Sequence, residues 1–177
     1  MSDRAKLTEI LVNDFEERGI IYKFSHMDKE DLLATYFSVQ DNGPDVLIGV
    51  FVTDSDPVVS IKAMNICENA PQNKRGRLLE AINIINQSMT FSNLFINDNN
   101  SVLFVYNIPI NTSDECLPAV VFEILCKARL IIDVKYYLIK RALETNEPLL
   151  DPNDEERENT FKDTALVNLF ADYNISL

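Results

Sequence analysis

The stretch Asp45-Val46-Leu47-Ile48-Gly49-Val50-Phe51-Val52-Thr53 decides the architecture of this chain. Val46, Ile48, Val50 and Val52 recur with a period of two and fall on one face of a β-strand. Strong turn signals bracket the stretch: Asp41-Asn42-Gly43-Pro44 before it and Ser55-Asp56-Pro57 after it. Leu32 to Val39 upstream and Val58 to Ile66 downstream alternate in the same way, and Ile20 to Phe24 adds a short apolar strand. Successive short strands joined by tight turns predict an antiparallel meander.

Helical spacing flanks the meander. Leu7, Ile10, Leu11 and Phe15 define a first helix that opens near Ser2-Asp3 and stops at Gly19. Leu78, Leu79, Ile82, Ile85 and Met89 define a second. A hairpin follows, with Phe91 to Ile96 and Val102 to Ile108 joined at Asn97-Asp98-Asn99-Asn100. The third helix keeps the 3.6 period from Leu117 to Leu143. It opens either at a capping box, Thr112 with Glu115, or at Pro118 in the first helical position. The predicted order is helix, three or four strands, helix, two strands, long helix. That order predicts an α+β fold, an antiparallel sheet with helices packed mainly on one face.

Residues 1–145 read as one domain, and 146–177 as an acidic linker with a short C-terminal helix starting near Thr160. A chain of 177 residues with 46 % hydrophobic content buries a sufficient core without disulfides or metals. Four Gly and one His exclude a glycine-rich phosphate loop and a multi-histidine metal site, so no cofactor is expected. The net charge of -12 is concentrated where Glu144 to Asp172 carry many acids against only Arg157 and Lys162. Such a surface repels nucleic acid and anionic membranes. Cys67, Cys116 and Cys126 form no C-x-x-C pair, and a cytoplasmic location is expected from that pattern. No signal-peptide core stands at the N-terminus, and no apolar run reaches the ~18–20 residues that span a bilayer.

One feature conflicts with a sheet wetted on its second face. Leu47 and Phe51 lie opposite Val46 and Val50, and Leu103 and Val105 lie opposite Val102 and Phe104. Polar residues belong at those positions. Either a helix of the same chain covers them or a neighbouring molecule does, so Leu47, Phe51, Leu103 and Val105 form the candidate partner surface. The third helix raises the same question. At about 40 Å it overhangs a sheet roughly 20 Å wide. It must break near Asp133, or the C-terminal segment or a second subunit must cover its end.

Other candidates read more simply as structure. His26 sits beside Asp28-Lys29-Glu30-Asp31 with no triad-like organisation, as a surface histidine does. Asp54 with Asp56, and Asp98 with Asn99 and Asn100, lack the glycine and distal glutamate of a calcium loop and read as turns. Lys74, Arg75 and Arg77 fall where the second helix begins, and cations there oppose the helix dipole. They form either a solvated loop or an anion site, and the latter is the alternative functional reading: a sensor of a small anion or nucleotide. The acidic tail reads first as a solvated linker and second as a strip that folds back over a partner groove. No acid–base pair or nucleophile elbow is evident, and a non-catalytic protein-binding module, a probable homodimer, is expected.

Leu78-Leu79-Glu80-Ala81-Ile82-Asn83, the hairpin Phe91-Ser92-Asn93-Leu94-Phe95-Ile96 and the helix bearing Ile124, Leu125, Ile131, Ile132, Asp133 and Tyr136-Tyr137 follow this order. In it, roughly residues 3–143 resemble the YbjN family, bacterial domains described as sensory-transduction regulators. The resemblance implies a type III secretion chaperone-like fold, α-β-β-β(β)-α-β-β-α, whose protomers pair and cradle an extended partner segment. It implies no catalytic residues and no cofactor.

Overall fold

The computed structural model describes residues 3–40, 42–53, 59–87, 94–108 and 115–173. The first helix, α1 (Asp3–Glu17), buries Thr8, Leu11 and Phe15 along one stripe. It closes as the spacing predicts. Gly19 has φ 67°, its N–H bonds the Glu16 carbonyl at 3.0 Å, and the Ile20 N–H bonds the Phe15 carbonyl at 2.9 Å. That pair of bonds is a Schellman motif, which needs a left-handed residue at the glycine.

Four strands follow: β1 (Lys23–His26), β2 (Glu30–Ser38), β3 (Asp45–Thr53) and β4 (Val59–Cys67). Then come a single 3-10 turn (Gln72–Lys74), α2 (Arg75–Gln87), β5 (Leu94–Ile96), β6 (Val102–Asn107), α3 (Leu117–Glu144) and α4 (Asp154–Asp172). The strands form one antiparallel sheet in the order β1-β2-β3-β4-β6-β5, and the chain is α+β.

Strand alternation sets the two faces of the sheet. Leu33 and Phe37 of β2, Val46, Ile48, Val50 and Val52 of β3, Ile61 of β4 and Phe104 of β6 are almost fully buried. Against them pack α1, which contacts β2 and β3, and α3, which contacts β3 and β4. The first strand lies later than its apolar run suggested. Ile20 is buried at the end of α1, Ile21 is 87 % exposed, and pairing starts only at Lys23 opposite Ala34. Because β1 is short, among the described residues β2 has no strand partner on that side beyond Ala34. The far edge differs. There the Asn86 side chain donates to the Leu94 carbonyl at 2.9 Å and accepts from the Leu94 N–H at 3.2 Å. A side-chain amide thus takes the place of a neighbouring strand.

The third helix runs unbroken from Leu117 to Glu144, with Cys116 as its cap and Pro118 in its first turn, so the alternative of a break at Asp133 does not occur. Asp133 instead is buried and accepts from Gln40 twice, from its N–H at 2.8 Å and its Nε2 at 3.1 Å. Gln40 Nε2 also donates to the Phe161 carbonyl at 2.9 Å, joining the sheet to both α3 and α4. The overhanging end of α3 is covered from within the chain. Leu138 and Ile139 are buried, and Leu149 and α4 pack there. The linker expected over 146–159 is therefore shorter than its acidity suggested. Its last six residues are helical, and α4 has 19 residues.

Candidate functional site

The face of the sheet turned away from α1 and α3 is built from the alternate residues of the same strands. Leu47 lies opposite Met64, Gly49 opposite Lys62, and Lys62 in turn opposite Val105. Leu103 lies opposite Phe95 on the edge strand. Tyr36 pairs with Leu47 from the other side. Three of the four residues expected to form a partner surface, Leu47, Leu103 and Val105, are half-buried here. Tyr36 (59 % exposed) and Phe95 (42 %) extend the same face. Their helix-side neighbours Val46, Ile48 and Phe104 are at 0–1 %, so the two faces are covered to very different degrees. Tyr36, Met64 and Phe95 escape a reading that follows β3 and β6 alone, although period two along β2, β4 and β5 points to them.

Phe51 is on this face but only 6 % exposed. Its ring lies over the backbone of Gly49, where a Cβ would stand 2.7 Å from Phe51 Cε2 and 2.7 Å from Leu32 Cδ1. Lys62 Nζ sits 4.4 Å from the ring centroid, a cation–π contact. The expectation that Phe51 belongs to an exposed partner surface is thus corrected. Its own strand and Lys62 already bury it.

The basic cluster divides between the C-terminal end of α3 and the β5–β6 turn. Lys74 Nζ donates to the Thr145 carbonyl at 3.3 Å, Arg77 Nη2 to the Glu147 carbonyl at 2.6 Å, and Arg75 Nη1 to the Asn97 carbonyl at 3.0 Å and to Asn100 Oδ1 at 2.5 Å. Lys74 and Arg77, which oppose the dipole of α2, therefore sit at the negative end of α3, where they are favourable, while Arg75 holds the β5–β6 turn. Each of the three is engaged with carbonyl or amide oxygens.

His26 has a buried carboxylate beside it. Its Nδ1 lies 2.6 Å from Asp31 Oδ1, and Thr8 Oγ1 donates to Asp31 Oδ2 at 2.8 Å. Thr8 bonds the carboxylate and not the imidazole, so the trio ties α1 to the β1–β2 hairpin and does not form a nucleophile–base relay. Asp54 and Asp56 lie outside the described residues. At the other turn, Asn97 Oδ1 accepts from the N–H groups of Asn99 at 3.0 Å and Ser101 at 2.9 Å, the side-chain turn expected of Asn. Among the described residues no three metal-ligating side chains gather, and no helix is long and apolar enough to cross a membrane. Burial pushes the Cys126 thiol up to about 11, far from a reactive thiolate.

The acidic segment packs along α3 and does not lie over the sheet. Arg141 holds Asp154 through two bonds, at 2.9 and 2.8 Å, Lys135 Nζ lies 2.6 Å from Glu158, and Tyr137 donates to Glu158 at 2.6 Å. Compared with known proteins, the chain matches no family model, no curated protein and no solved structure.

Proposed function

We propose that the chain is a non-catalytic protein-binding module that pairs with a second copy of itself through the outer sheet face. The observation that carries this reading is the gathering of Tyr36, Leu47, Met64, Phe95, Leu103 and Val105 on one face without the burial that the helix side enjoys. Six strands of three to nine residues, at about 3.3 Å per residue and about 4.8 Å spacing, give a face of roughly 500–600 Å². Two such faces brought together bury roughly 1,000–1,200 Å², the lower end of specific protein interfaces. The YbjN resemblance, in whose implied fold protomers pair, supports the same reading. Three free cysteines suit a reducing compartment, and we place the protein in the cytoplasm.

Size-exclusion chromatography with light scattering tests the proposal. The wild type is expected at twice the 20.2 kDa chain mass, and a Leu103→Asp, Val105→Asp double variant at the chain mass with an unchanged circular dichroism spectrum. Phe51 is left intact because its replacement would perturb the sheet itself. A wild type that remains monomeric at about 100 µM overturns the reading.

A further inference from the structure

A second feature adjoins this face at Tyr36 and draws on a different set of groups. Between the residues after α1, the stretch of β2 around Tyr36 and the end of α4 is a cavity of about 440 Å³, within the range of small-molecule sites. Ile21, Tyr22, Lys23 and Tyr36 line it on one side, and Arg129 and Asp172 on the other.

Arg129 is only 4 % exposed. Its guanidinium is stacked between the rings of Phe37, at 5.0 Å, and Tyr173, at 5.4 Å. Nη2 donates to Asp172 Oδ2 at 2.5 Å, while Nε is buried and has no hydrogen-bond partner among the described residues. In a planar guanidinium the Nε–H and Nη2–H bonds lie parallel on one side, the fork that a carboxylate takes with both oxygens. Asp172 fills one prong of that fork, and its side chain is 55 % exposed. A buried donor without an acceptor is costly, and a half-used fork is a vacancy for an anion of the right shape.

We propose that this cavity binds a small organic carboxylate with a flat apolar body, whose two oxygens span Nε and Nη2 of Arg129 and release Asp172 to solvent. The exchange replaces one carboxylate by another, so the buried charge of Arg129 stays compensated throughout. Asp172 is already half in water and returns to it at little cost. The body of the ligand lies against Ile21, Tyr22 and Tyr36, with Lys23 as a second cation at the mouth. Of the proposed pairing face the site uses Tyr36, and it needs no second copy of the chain.

Isothermal titration of the full chain with benzoate, with benzamide as the neutral isostere, tests the proposal. Benzoate is expected to bind and benzamide to fail. Asp172→Ala, at an exposed position, is expected to tighten benzoate by about threefold or more, because the competing internal carboxylate is gone. Arg129→Lys keeps the charge, loses the fork and is expected to abolish binding. Absence of benzoate binding at about 10 mM by both wild type and Asp172→Ala overturns the proposal. Equal affinity for benzamide overturns it too, as does an affinity that Asp172→Ala leaves unchanged. The Asp172 comparison decides the matter even where Arg129→Lys fails to fold.

Discussion

Gly49 and Phe51, two residues apart on β3, share one space: the ring of Phe51 occupies the room that a side chain on Gly49 would need. The glycine is thus a packing partner, although it contributes no side-chain atoms. In Gly49→Ala the Leu32 methyl can rotate away, but the aromatic ring must swing off the sheet. The variant is expected to lose about 1–2 kcal/mol in urea denaturation and to bind more of a hydrophobic dye. A variant as stable as the wild type would show that the ring has an alternative seat.

The bond pair between Asn86 and Leu94 predicts a different phenotype. Asn86→Ala leaves one N–H and one carbonyl of β5 without their partner at the sheet edge. The expected loss is about 1–2 kcal/mol, together with concentration-dependent light scattering absent from the wild type. Asn86→Asp keeps the acceptor only and is expected to fall between the two.

Acid should loosen α4. Burial pushes the Asp154 carboxyl up, but the bidentate Arg141 and the Asp151 N–H outweigh it and hold the group below the usual carboxylate range. A pKa lower in the folded chain than in the unfolded one makes protonation favour unfolding. The stability it supplies is full above the unfolded value of about 3.9 and is lost as pH falls through the lower folded value. Asp154→Asn is expected to cost about 1.5–3 kcal/mol at neutral pH and to show a flatter decline of urea midpoint below about pH 4.

Lys74→Met tests the role of the basic cluster. The loss of a cation at the end of α3 is expected to cost about 0.3–1 kcal/mol in thermal or chemical denaturation. Inorganic phosphate is expected to shift the melting temperature of wild type and variant alike. A phosphate effect confined to the wild type would return the cluster to the anion-binding reading.

The centre of the sheet was legible because the branched residues of β3 keep period two. Val46, Ile48, Val50 and Val52 are all buried on one side, and Leu47 stands on the other. The long α3 was legible because its apolar stripe is dense. The extent of α4 was not. Only Asp154, Ala165 and Leu169 are buried along its 19 residues, and ion pairs with Arg129, Lys135 and Arg141 help to dock it. A run of acids looks the same in a sequence whether its counter-charges are water-borne or on a neighbouring helix. Burial of Phe51 was hidden for a related reason. Alternation assigns a residue to a face, but only the glycine two positions away shows how deeply it lies. The half-used fork of Arg129 needs coordinates, since Asp172 is 43 residues distant along the chain.

The unequal borders of the sheet also limit how molecules can accrete. One border is plugged at Leu94 by the chain's own amide, while at the other β2 outruns β1 beyond Ala34 and the end of α4 lies beside it. Strand-to-strand growth is therefore disfavoured at the Leu94 border, and any such pairing starts from β2. Two molecules joined along β2 use that rim in both, which favours a closed pair over a growing fibre.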